Sequence, residues 1–90
     1  MQTDTKKSTS EQEKTIIGKS LILFNDDINS FDFVIETLVE VCGHEYVQAE
    51  QCAYIVHYKG KCAVKHGSFE KLEPLCSEML KRGLTAEIAD

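Results

Sequence analysis

Leu21-Ile22-Leu23-Phe24-Asn25-Asp26-Asp27-Ile28-Asn29-Ser30-Phe31 decides the fold. The four apolar residues at its start read as a strand that is central in its sheet or covered on both faces. The strand runs into a cluster of amides and carboxylates, and a helix begins directly after them. Asn and Asp side chains bond back to nearby backbone, so Asn25, Asp26, Asp27 and Asn29 can each serve a turn or a cap. One cap needs only one of them. The surplus of acceptors between a buried strand and an amphipathic helix points to a ligand that carries hydrogen-bond donors and positive charge.

Downstream, the spacing of apolar residues is helical and then alternating. Phe31, Val34, Ile35, Leu38, Val41 and Cys42 form one stripe of a helix capped by Asn29 or Ser30 and closed by Gly43. Asp32 favours the positive end of that helix. A second helix is predicted from Tyr46 to Tyr58, with Ala49, Cys52, Ala53 and Val56 inward and Gly60 at its end. His57 lies in its last turn, where it either sits at the helix end helped by the dipole or meets the Asn25–Asp27 cluster. Lys61–Gly67 alternates as a strand, with Cys62, Val64 and His66 on one side and Lys61, Ala63 and Lys65 exposed. Ser68 can cap a third helix, which Leu72, Leu75, Cys76, Met79 and Leu80 mark by their spacing. Pro74 places its regular start near residues 73–74, or kinks it there. Leu84–Ile88 alternates as a last short strand. The order β-α-α-β-α-β makes a two-layer α+β sandwich, with helices on one face of a small three-stranded antiparallel sheet. Residues 1–19, nearly devoid of apolar side chains, read as a flexible N-terminal tail, and residues 20–90 as the single core domain.

Composition excludes several classes. Ninety residues allow one small domain. A net charge of −5 is the wrong sign for a nucleic-acid surface. No apolar run is long enough to span a membrane, and Met1–Glu13 holds no apolar core of a signal peptide, so the chain reads as cytoplasmic with reduced thiols. Cys42-x-His44, Cys52-x4-His57 and Cys62-x3-His66 look superficially like metal ligands, but none is the paired Cys-x2-Cys of a structural zinc site. The four cysteines fall at apolar positions of regular elements, where Cys serves as a small hydrophobe. No metal or other cofactor is expected.

Asn25-Asp26-Asp27, the helix entered through Phe31-Asp32-Phe33-Val34, and Val56-His57-Tyr58-Lys59-Gly60-Lys61 together resemble the ClpS family, over roughly residues 18–88. These are adaptors of bacterial and plastid Clp proteases that recognise destabilising N-terminal residues, the signal of the N-end rule. Their fold resembles the C-terminal domain of the ribosomal stalk protein. The resemblance implies a non-enzymatic adaptor that binds proteins with a free hydrophobic N-terminal residue (Phe, Tyr, Trp or Leu) and delivers them to a ClpA- or ClpC-like AAA+ ATPase. It implies that Asn25 and His57 bind the substrate's α-ammonium. Asp26 assists there and holds the adjoining peptide backbone, Asp27 adds negative potential, and Asn29 contacts the bound chain. Ile28, Phe31, Val34, Ala53, Val56 and Leu84 are implied for the apolar pocket, and Tyr58 and Glu70 for the surface that faces the ATPase. The tail is implied to be what the ATPase engages. Phe31 and Ala53 stand where the family often has methionine. Phe is stiffer and bulkier than Met, so Phe31 at the rim is expected to exclude side chains branched at Cβ, and Ala53 to enlarge or reshape the pocket.

The chemistry of such a site follows from its residue types. An ammonium has three donors and one charge, which acceptors on Asn25, neutral His57 and Asp26 would satisfy. Protonating His57 removes an acceptor and adds a like charge. Binding is therefore expected to weaken as pH falls through the ordinary histidine range, about 6.5. Three other readings compete. Asp26, Asp27 and His57 could form an acid–base site, but no motif sets a nucleophile beside His57 and no phosphate-binding glycine loop is present. A small zinc-binding module is the second. The third is a protein-interaction module without an N-terminal-residue pocket. Nothing in the sequence demands more than a monomer.

Overall fold

The computed structural model describes residues 18–90. Strand β1 (Lys19–Phe24) is followed by helices α1 (Phe31–Cys42) and α2 (Tyr46–Lys59), strand β2 (Lys61–Gly67), helix α3 (Phe69–Lys81) and strand β3 (Thr85–Ala89). The strands form one antiparallel sheet in the order β2-β1-β3. The fold is α+β, three helices over a three-stranded sheet. Most of the expected tail lies outside the described residues; Lys19, its last member, instead opens β1 opposite Gly67.

β1 is central, in keeping with its apolar run. Leu21 and Leu23 are fully buried beneath the helices, while Ile22 and Phe24 are half-buried. The core adds Ile35, Leu38 and Cys42 from α1, Ala49, Ala53 and Val56 from α2, and Leu72, Cys76 and Met79 from α3. The small inward side chains of α2 need little room between that helix and the rest of the core.

Two elements differ from the sequence expectation. In β2 the register slips: Leu21 faces Lys65 but Ile22 faces Ala63, leaving Val64 as an extra residue in a β-bulge. A bulge inverts the alternation beyond it. His66 therefore turns to the open side and meets Ser20 Oγ through Nδ1 at 3.0 Å, while Lys65 swings under α1 and donates from Nζ to the Cys42 carbonyl at 3.0 Å. The buried His44 donates from Nε2 to the carbonyl of the bulged Val64 at 2.6 Å. Helix α3 starts at Phe69, not near residue 73. Ser68 caps it, its Oγ accepting from the Lys71 N–H at 3.3 Å, and Leu72 is buried in the first turns. The cap and that buried leucine hold the turn that Pro74 alone would discourage. At the far end the Gly83 N–H donates to the Leu80 carbonyl and the Leu84 N–H to the Met79 carbonyl, with Gly83 at φ +90°. This is a Schellman closure, and it needs the left-handed glycine.

Candidate functional site

The loop after β1 is built by its own acidic residue. Asp26 Oδ1 accepts from the backbone N–H of Ile28 at 2.9 Å and of Asn29 at 2.8 Å, and Oδ2 accepts from the Asn29 amide at 3.0 Å. The remaining Asn29 amide hydrogen goes to the Gly83 carbonyl at 3.0 Å, tying the loop to the start of the last strand. Ser30 then caps α1 by accepting from the Phe33 N–H at 3.1 Å. Partial burial pushes the Asp26 pKa up, but the hydrogen bonds from Asn29 and Ile28 outweigh it and hold the carboxyl below its ordinary value.

A second tie brings in α2. The Asn25 N–H donates to the Gly60 carbonyl at 2.9 Å, and Gly60 at φ +94° ends α2 with its own N–H on the Val56 carbonyl. The last turn of α2, with Val56 and His57, is thereby pinned beside the end of β1. Together these elements enclose a cavity of about 320 Å³ lined by Asn25, Asp26, Asp27, Asn29, Phe31, Val34, Ala53, Val56 and His57. Ala53 and Val56 are buried, Phe31 and Val34 half-buried, and Asn25, Asp27 and His57 exposed. The cavity thus has an apolar floor and a polar, acidic mouth. No Lys or Arg lines it, and neither does any Ser, Thr or Cys.

The polar side chains divide by availability. Asp26 has about four acceptor directions, and three are taken by the loop. Asn29 has used both amide hydrogens, which leaves its Oδ1 as an acceptor. Among the described residues, the side chains of Asn25, Asp27 and His57 have no hydrogen-bond partner. What the arrangement can do is accept hydrogen bonds from a cationic donor group at the mouth while an apolar group fills the floor.

Of the residues singled out in the sequence, Ile28 and Leu84 do not line the cavity. Ile28 is 89 % exposed at the tip of the Asp26 turn, which projects it away from the floor. Leu84 is buried in the core, because the Schellman closure of α3 turns it inward before β3 begins. Tyr58 and Glu70 are both exposed, Tyr58 with its ring edge-on to His57 at 4.9 Å between centroids. Tyr54 went unnoticed in the sequence. Its ring meets Phe31 edge-on at 4.8 Å and stacks on Tyr58 at 5.9 Å. The signal was there in Tyr54 and Tyr58 being one helical turn apart, which puts both on one face of α2. Cys42, Cys52, Cys62 and Cys76 are free thiols, and burial pushes Cys42 and Cys62 up to about 11. Among the described residues no three His, Cys, Asp or Glu side chains are grouped so as to hold a metal ion, and no helix is long and apolar enough to cross a membrane.

Fold and site together define a small α+β domain with a cavity that has an acceptor-lined, acidic mouth and an apolar floor. The family described as "ATP-dependent Clp protease adaptor protein ClpS" matches residues 19–87. The chain belongs to the ClpS family, and its class is that of a Clp protease adaptor, whose known role is in N-end rule degradation. Among solved structures it is similar to Agrobacterium tumefaciens ClpS2 bound to L-phenylalaninamide, at 18 % identity and a TM-score of 0.67, over 78 % of this chain and 92 % of that one. At that identity the likeness speaks for the fold. No curated protein matches the chain.

Proposed function

We propose that the protein binds the free amino terminus of proteins whose first side chain is apolar, Phe, Tyr, Trp or Leu, and presents them to a ClpA- or ClpC-like AAA+ ATPase for degradation. The observation that carries this reading is the joining, in one cavity, of a mouth of unused acceptors with a floor of Val34, Ala53 and Val56. The similar ClpS2 was solved with L-phenylalaninamide, a ligand with a free amino group and an aromatic side chain. Asn25 and His57 accept two of the three ammonium hydrogens, and the free lone pair of Asp26 takes the third, directly or through water. Asp27 supplies negative potential, and Asn29 Oδ1 accepts from the peptide backbone. The first side chain enters past Phe31 onto Val34, Ala53 and Val56, where burial stabilises it by roughly 1.5–3 kcal/mol. The protein acts by binding and not by turnover. It works as a cytoplasmic monomer, with Tyr58 and Glu70 toward the ATPase.

Fluorescence anisotropy of a labelled peptide beginning with Phe tests the reading. Acetylation removes the charge and two donors, and leaves acceptors unpaired at about 1–3 kcal/mol each. Micromolar or tighter binding is expected, lost on acetylation of the peptide and in His57→Ala. Equal affinity for free and acetylated ends, or none for either, overturns it in favour of an interaction module without an N-terminal-residue pocket.

A further inference from the structure

Four rings form a chain beside the cavity. Phe31 on α1 meets Tyr54 on α2 edge-on, with centroids 4.8 Å apart and planes at 60°. Tyr54 lies parallel to Tyr58, 5.9 Å apart and 9° off coplanar, and Tyr58 meets the ring of His57 at 82°. The two end members, Phe31 and His57, line the cavity; the two tyrosines between them do not. Tyr54 is 48 % exposed and Tyr58 74 %, too open for core packing to account for their placement. The separations and angles are those at which aromatic pairs attract beyond their buried area.

Phe31 stands at the first residue of α1, half-buried, and its ring borders the mouth. With the ammonium held by the mouth acceptors, the first residue's Cβ lies at the level of the mouth. The width there decides whether a second branch at Cβ can pass. Phe31 packs in part against the core, and outside the cavity its ring is met by that of Tyr54, which narrows the rotamers open to it. We propose that Tyr54 is a specificity-determining positioning residue: its ring holds Phe31 across the mouth, so that the cavity refuses first side chains branched at Cβ. The inference rests on the N-terminal-residue reading given above.

The test compares the full chain with its Tyr54→Ala and Tyr54→Phe variants against peptides beginning with Leu, Phe, Ile and Val, by anisotropy. Tyr54 is on an exposed helix face, and far-UV circular dichroism verifies that each variant is folded. In Tyr54→Ala the preference for Leu over Ile and Val should fall about three- to tenfold, the effect of losing one aromatic pair. The gain should be in binding of the branched residues, and Tyr54→Phe, which keeps the ring, should restore the original preference. An unchanged preference in Tyr54→Ala, or an equal loss for all four peptides in both variants, overturns the inference and leaves the N-terminal-residue reading intact. If the unaltered protein binds none of the four, that reading fails and the inference falls with it.

Discussion

Asp26 is the residue on which the site's shape depends most directly. Its carboxylate organises residues 26–29 through three hydrogen bonds; burial, the largest single influence, pushes its pKa up, but the three bonds together hold it below the ordinary 3.8. A carboxyl depressed on folding stabilises the fold at pH values above its unfolded pKa, and that contribution is lost as pH falls through the folded value. Asp26→Asn removes the charge and sets an amide hydrogen against Asn29. Urea unfolding near neutral pH should show the variant less stable by about 1 kcal/mol, and the gap should close as pH falls below 3.8. A gap independent of pH would mean that the charge contributes nothing to the turn. At this scale the sequence was half legible. An Asx cluster after a strand announced turn chemistry and a ligand together, but which residue did which depended on contacts far along the chain. The Asn29 amide is fixed by the Gly83 carbonyl, 54 positions away, and no local pattern signals that partner.

Among the elements, α3 carries a local penalty that its packing overrides. Pro74 is the sixth residue of the helix, so it leaves the Glu70 carbonyl without an intrahelical donor. An interior proline costs on the order of 3 kcal/mol relative to alanine, and its stiffening of the unfolded chain returns at most about 1 kcal/mol. Pro74 is exposed, so nothing in the core is lost with its ring. Pro74→Ala should therefore raise stability by about 2 kcal/mol, read as a higher urea midpoint with an unchanged slope. No change would show that the helix is already distorted enough there to spare the carbonyl. The same competition explains why sequence reading began this helix too late: the proline was visible, whereas the Ser68 cap and the burial of Leu72 had to be weighed against it. In β2 the alternation was read through Val64 without a bulge, which put His66 on the wrong face. A bulge has no signature of its own when the bulged residue is an ordinary valine, and only pairing with β1 shows it.

For the whole molecule, the element order and most of the inward stripes of the three helices could be read from periodicity, because each stripe follows its own repeat; Leu80, placed on the α3 stripe by its spacing, is exposed. The cavity needed more, since its lining comes from the β1–α1 loop, the first turn of α1 and the last two turns of α2. In the sequence, only the resemblance carried in Asn25-Asp26-Asp27 and Val56-His57-Tyr58 links those segments. Ile28 and Leu84 stand outside the cavity lining, because the direction of the side chain, not its position in the chain, decides. The distribution of lining residues also bears on delivery. Helix α3 contributes none, and Glu70 lies in its first turn, whereas Tyr58 leans on the ring of His57. On the proposed reading an adaptor holds its cargo and its ATPase at once, and Glu70 on α3 stands outside the cavity lining. Glu70→Ala should keep the affinity for a Phe-initiated peptide within about twofold, as a surface substitution remote from the ligand does. It should weaken association with the Clp ATPase and slow degradation of a Phe-initiated reporter. His57→Ala should slow the same degradation while leaving ATPase association in place. Tyr58→Ala should fail in both assays, because it touches both a cavity ring and the exposed face. Loss of peptide affinity in Glu70→Ala would mean that the two tasks share one surface, and that the adaptor cannot hold cargo and ATPase independently.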